Sequence, residues 1–275
     1  MSVQQKKIRI AAVQMISGPQ VEDNLAEAER WIVEASRQGA QLIALPEYFP
    51  IISNLDADRL KAREVLDHGP IQLFLAGMAR NHKVWIVGGS IPLAASAPDK
   101  LRNACLVYSP DGERMARYDK IHLFGFENGA ERYDEAAFIE AGDTPVAIDT
   151  QLGRIALSIC YDLRFPELYR QLGKDRPLDL IVVPAAFTET TGRAHWEILL
   201  RARAIENQCY VMAIGQGGVH PNGRETHGNT MIVDPWGNIL DRKLKGAGLV
   251  IADLDHQLIA ETRASLPALK HRRLG

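Results

Sequence analysis

Short apolar runs recur through the whole of this 275-residue chain, at 8–14, 41–45, 84–88, 104–108, 154–159, 180–184, 209–215, 230–234 and 249–253. Each has the length and residue types of a buried β-strand. Helical patterns lie between several of them. Over 21–38, Leu25, Ala28, Ile32 and Ala35 recur on one face while Glu22, Glu27 and Glu29 lie elsewhere, the layout of a helix that covers one face of a sheet. Gly39 supplies its stop. The segments 71–81 and 196–207 read in the same way, and 166–172 predicts a short helix. Strands alternating with helices point to an α/β layer fold. No internal repeat, low-complexity stretch or linker interrupts the series. With 46% hydrophobic and 24% charged residues, the chain can build one large core, so one domain over 1–275 is expected.

Several function classes are disfavoured by composition. A formal net charge of −2 gives no basic field for nucleic acid. No run approaches the roughly 18 apolar residues of a membrane span. The first apolar run is interrupted by Arg9 and Gln14 and is too short for a secretory signal. Cys105, Cys160 and Cys209 are few, odd in number and far apart, which argues against a disulfide framework or a Cys-rich metal site. A soluble protein of the reducing cytosol is expected. The glycines of GGSIP (88–92) and GQGG (215–218) lack phosphate-cradle spacing and read as turns. His122, His195, His220 and His227 sit in unrelated contexts, so neither a metal nor another cofactor is expected.

Three segments carry chemistry-bearing residues at the ends of strand-like runs. In ALSICYDLRFPELYR (156–170), Cys160 closes an apolar run just before a polar, proline-containing turn, where a thiol leaves packed interior for an open pocket. In QLIALPEYFP, Glu47 follows an apolar run and Pro46. In ARYDKIHLF, Lys120 sits in a short β-type stretch beside Asp119. Taken singly, a buried cysteine is more often a small hydrophobe, and a glutamate or lysine at a strand end is more often a solvated charge.

In that chain order the LPE, DKIHLF and CYDLRFPE segments resemble the Glu-Lys-Cys triad of the nitrilase superfamily of carbon–nitrogen hydrolases, and the resemblance covers about residues 8 to 273. TGRAHWEILLRARAIENQCYV, HGNTMIVDPWGNIL and LPALKHRR resemble its amidase branch, which includes deaminated-glutathione amidases and omega-amidases, rather than the nitrile-hydrolysing branch. The segment 125–135, GFENGAERYDE, departs from that pattern. The resemblance implies a four-layer α-β-β-α sandwich and paired subunits. Trp236, in the DPWG turn, is a candidate for packing at a subunit interface, and the C-terminal LKHRR reads as a solvated or dimer-pairing tail rather than a nucleic-acid patch. The resemblance also implies hydrolysis of a small carboxylate-bearing amide, deaminated glutathione first and 2-oxoglutaramate as the alternative, with no cofactor.

Amide hydrolysis needs a nucleophile, a proton carrier and stabilisation of the carbonyl oxygen. By resemblance Cys160 would attack, Glu47 would carry the proton, and Lys120 would stabilise the oxyanion, with the Tyr161 backbone N–H as a second donor. The family's second glutamate falls on Glu135, with Glu131 and Glu140 nearby. Arg164 would hold a substrate carboxylate in a bidentate pair, the alternative being a salt bridge with Asp162 or Glu167; Thr190 would assist. Nitrile or N-carbamoyl amide hydrolysis by the same triad, and a non-catalytic interaction protein on the same fold, are the rival readings.

Overall fold

The computed structural model describes residues 7–53, 55–129 and 132–274. Fifteen strands and six α-helices succeed one another: β1 (Ile8–Gln14), α1 (Val21–Arg37), β2 (Leu42–Ala44), α2 (Asp56–Lys61), α3 (Pro70–His82), β3 (Trp85–Val87), β4 (Ile91–Ala94), β5 (Leu101–Tyr108), β6 (Arg114–Asp119), β7 (Gly125–Glu127), β8 (Arg132–Asp134), β9 (Ala147–Thr150), β10 (Gly153–Leu157), α4 (Pro166–Leu172), β11 (Leu180–Ala185), α5 (Glu189–Asn207), β12 (Tyr210–Gly215), β13 (Thr230–Val233), β14 (Ile239–Lys243), β15 (Gly248–Leu254) and α6 (His256–Ser265). One sheet runs β15-β1-β2-β3-β5-β4, with β6 on the other edge of β5; the second runs β14-β13-β12-β11-β10-β9. In each, three neighbouring strands are parallel, β1-β2-β3 and β10-β11-β12.

The period-2 alternation of the strands builds the layers. Ile10, Ala12, Leu42, Ala44, Trp85, Val87, Cys105 and Val107 face the second sheet and share a core with Ile155, Leu157, Leu180 and Val182. Their neighbours Ala11, Val13, Ile43, Ile86, Ala104 and Leu106 point the other way, against Ala28 and Ile32 of α1 and Leu75 and Ala79 of α3. On the far side of the second sheet, Leu168 and Tyr169 of α4 and Trp196, Leu200 and Ala204 of α5 close the core. The order is therefore helix, sheet, sheet, helix, the α-β-β-α sandwich.

All nine apolar runs are strands, and α1, α3, α4 and α5 lie where the helical patterns place them. Gly39 takes φ +84°, the left-handed conformation of a helix stop. Three departures bear on the site. α5 begins at Glu189, well before Trp196, because the Thr188 side chain caps it by accepting the Thr191 N–H at 3.3 Å. Lys120 lies one residue beyond β6 rather than inside a strand. Within 125–135, β7 and β8 pair as an antiparallel hairpin; Ala130 and Glu131, the latter among the glutamates considered above, lie outside the described residues.

Candidate active site

Glu47 is delivered from the C-terminal end of β2 through Leu45 and Pro46, to the place where β11 of the second sheet also ends. The turn leaves no room for a side chain behind it: Gly89 has φ +56°, and a Cβ there would lie 2.1 Å from the Pro46 carbonyl oxygen. Ser90 Oγ accepts the N–H of Tyr48 at 3.0 Å, a residue held at φ +55°. Glu47, 1% exposed, then receives three donors: Lys120 Nζ at 2.9 Å and Asn103 Nδ2 at 2.9 Å on Oε1, and the Ala186 N–H at 2.8 Å on Oε2.

Lys120 follows β6, and its N–H donates to the Asn103 carbonyl at 2.9 Å. Its ammonium is fully buried between two carboxylates, Glu47 and Glu135, with Nζ 2.8 and 3.1 Å from the two Glu135 oxygens. Glu135 stands at the foot of the β7–β8 hairpin. There it also accepts the Tyr48 hydroxyl at 2.8 Å and the Phe124 N–H at 2.7 Å, while its own N–H donates to the Phe124 carbonyl at 3.0 Å. Glu140 is elsewhere, bonded to Ser96 and Arg102.

Cys160 emerges from β10 after Ser158 and Ile159 and opens a short 3-10 turn, Cys160–Arg164, at φ +51°. A non-glycine residue in that region costs on the order of 1–3 kcal/mol and persists only where its surroundings over-determine it. Asp162, wholly buried, does so by accepting the Ile159 N–H (2.8 Å), the Tyr118 hydroxyl (2.6 Å) and the His122 N–H (3.0 Å), with His122 Nδ1 2.7 Å away. Ala186, whose N–H binds Glu47, also lines the cleft beside the Cys160 thiol.

Two carboxylates and one ammonium leave this dry cluster with a net negative charge. Taking each ion out of water costs several kcal/mol, which the donors from Asn103, Ala186, Tyr48 and Phe124 offset. Burial pulls the Lys120 ammonium down, but Glu135 and Glu47 reverse this and hold its pKa well above the usual 10.5. Burial pushes Glu135 up, and Lys120 more than reverses that, so its carboxyl ionises below the usual 4.5. Cys160 is pushed well above 9.0, first by burial and then by Glu47, with Lys120 opposing. Burial and Glu47 thus favour the neutral thiol, which would need a base to take its proton before it could act as a nucleophile.

A narrow cleft leads to the sulfur, lined by Phe124, Tyr161, Ala186, Phe187, Thr188 and Thr191. Tyr161 packs edge-on against Phe124 and Phe165. Arg164 stands beyond it, its guanidinium 5.6 Å from the Tyr161 ring centre and 5.5 Å from that of Phe187, with Nη1 3.2 Å from His195 Nδ1. Thr190 is exposed; the residue of that helical turn in the cleft wall is Thr191. The structure thus brings Glu47, Lys120, Cys160 and Glu135 into one cluster with Tyr161 beside it, sets Arg164 at the cleft's edge, and leaves Thr190 outside. Sequence reasoning passed over Tyr48, Asn103 and Thr191, which no local motif marks; Asp162 was visible as a polar turn residue only.

A buried thiol, carboxylate and ammonium gathered at the strand ends of a stacked two-sheet sandwich define a hydrolase of carbon–nitrogen bonds. Residues 9–264 match the carbon–nitrogen hydrolase family, and the chain belongs to it. It is 42% identical over 266 residues to the deaminated glutathione amidase of Synechocystis, covering 95% of this chain and 97% of that protein. The omega-amidase NIT2-B of Xenopus laevis is 35% identical over 97% of this chain and 95% of its own length. Saccharomyces cerevisiae Nit3, a member of branch 10 of the nitrilase superfamily, superposes with a TM-score of 0.88 at 30% identity, covering 100% of this chain and 99% of that one. The protein is accordingly a nitrilase-superfamily hydrolase of non-peptide C–N bonds, acting on amides. No helix among the described residues is long and apolar enough to cross a membrane.

Proposed function

We propose that the whole chain works as one amidase domain that hydrolyses deaminated glutathione to 2-oxoglutarate and cysteinylglycine through a thioester on Cys160. The observation that carries this reading is the Lys120 ammonium lodged between Glu47 and Glu135, with the Cys160 thiol in the cleft beside Ala186, whose N–H holds Glu47. Glu47 takes the thiol proton as sulfur bonds to the amide carbon. The oxyanion is met by Lys120 Nζ and the Tyr161 N–H, since the first N–H groups of a helical turn have no acceptor within it. Each such donor contributes about 3 kcal/mol in a dry site. Glu47 then protonates the departing nitrogen. It next deprotonates the water that cleaves the thioester, and the proton returns to sulfur. Glu135 keeps Lys120 charged and in place. Arg164 pairs with the carboxylate of the acyl group.

Omega-amidase activity on 2-oxoglutaramate is the second reading, favoured by the relatives of that name and by the same acyl group. The protein is read as cytosolic, cofactor-free and homodimeric, with Trp236, 56% exposed, available to an interface. The test is 2-oxoglutarate release from deaminated glutathione and from 2-oxoglutaramate, side by side, in wild type and Cys160→Ala. Faster turnover of the peptide amide, abolished in the variant, is expected. Preference for 2-oxoglutaramate would make this an omega-amidase, and unchanged turnover in Cys160→Ala would overturn the mechanism.

A further inference from the structure

A second, wider cavity of about 840 Å³ opens beside the cleft. Phe124 walls both, and Tyr48 and Glu135, bonded to each other in the cluster, face the wider one. Three arginines from separate segments line it: Arg59 of α2, Arg132 of β8 and Arg224. Arg59 stacks 4.2 Å from the centre of the Phe138 ring and 5.2 Å from that of Tyr48. Arg224 lies 5.1 Å over Tyr133 and donates from Nη2 to the Ala186 carbonyl at 3.1 Å, while its Nε is buried with no acceptor among the described residues. Of the acids in the wall, Glu135 is committed to Lys120, and Glu225 accepts from Lys245 at 3.1 Å. That leaves Asp134 against the guanidiniums of Arg132 and Arg224. Stacking on a ring fixes a guanidinium plane and leaves its edge to a planar anion.

An amide that reaches Cys160 has two arms. With its acyl carboxylate on Arg164, on the Tyr161–Phe187 side, the other arm faces the wider cavity. We propose that this cavity is a leaving-group subsite in which Arg132 and Arg224 hold a carboxylate on the departing amine, selecting amides of short anionic peptides over amides that release ammonia. This rests on the acyl placement given under the proposed function.

The test compares deaminated glutathione with the same compound capped as its C-terminal glycinamide, in wild type, Arg132→Gln and Arg224→Gln. Losing one charge-assisted contact changes kcat/KM by about tenfold. Wild type is expected to prefer the free acid by at least that factor, through KM, and the acid-to-amide ratio to collapse toward one in either variant. The ratio cancels any general loss of folded enzyme. Equal use of both compounds by wild type, or a ratio that both variants keep, would overturn the subsite and leave the proposed function standing. Hydrolysis of neither by wild type would overturn the proposed function, and this assignment with it.

Discussion

The Tyr118 hydroxyl donates to Asp162 Oδ2 at 2.6 Å across 44 positions of sequence. Tyr118 is two residues before Lys120, and Asp162 two residues after Cys160, so one buried hydrogen bond ties the end of β6, just before the ammonium, to the turn that carries the thiol. Tyr118→Phe should cost about 1 kcal/mol of stability and leave a folded enzyme. Asp162→Ala should cost about 3 kcal/mol or more, since the Ile159 and His122 N–H groups lose their acceptor as well. Denaturant midpoints with unchanged slopes measure both. Equal midpoints for the two variants would show that Asp162 does not organise the turn.

Glu47→Gln keeps the shape of the side chain but cannot accept the thiol proton. We expect kcat to fall by about 10²–10⁴-fold, with the far-UV circular dichroism spectrum of the wild type. Because burial favours the neutral thiol, raising the pH should restore part of the rate in this variant as the thiolate forms unaided. A variant with wild-type kcat at neutral pH would remove Glu47 from the proton path.

Stability should be flat between about pH 6.5 and pH 9 and decline on either side; burial holds His220 and His227 below the usual 6.5, so the fold already loses stability as pH falls under that value. Glu135 ionises below the usual 4.5 and Glu189, beside Lys245 and Arg193, is held down to about 2, so their contributions are present above about 4.5 and vanish as pH falls through the folded values. In alkali, burial pushes Cys105 up from 9.0 to about 12 and Tyr108 and Tyr210 from 10.0 to about 12. Those groups favour the fold below their ordinary values and progressively less above them. Lys120, held above 10.5, loses its charge only beyond that limb. Thermal midpoints from pH 3 to pH 11 check the shape; a decline already under way at pH 7 would contradict it.

Gly89→Ala should lower activity and stability together. The added methyl meets the Pro46 carbonyl, which is backbone and cannot rotate away, and the φ of +56° adds strain. A loss of about 2 kcal/mol or more is expected, and kcat should fall because Glu47 sits on the displaced turn. Unchanged thermal midpoint and kcat would show that this turn can give way.

The parts of the fold legible in the sequence are those where local pattern and burial agree. The apolar runs in the sheet interiors and the one-sided α1 are of this kind. β6, RMARYD, buries only Ala116 and Tyr118 between half-buried charges and an exposed Met115, and β7 and β8 are three residues each and largely exposed, so no apolar run marks them; their pairing is set by contacts such as Phe124 with Glu135. The site divides in the same way. Glu47, Lys120 and Cys160 stand in recognisable strings at strand ends, whereas two of the donors that make the burial of Glu47 tolerable, Asn103 of β5 and Ala186 just after β11, are far from it in sequence. Thr190 shows how small the margin is. Once Thr188 caps α5, each step along the helix turns the side chain by about 100°, so Thr191 enters the cleft and its predecessor faces out.

The β7–β8 hairpin joins Phe124, a wall of both cavities, to Glu135, which compensates the buried ammonium. The segment 125–135 therefore carries part of the site's charge balance in its stem. Exchanging hairpins between amidases to redirect specificity would succeed only where the graft returns a carboxylate to Lys120 and a main-chain donor from position 124. A graft that matches the rim but misses the stem would alter turnover as well as substrate choice.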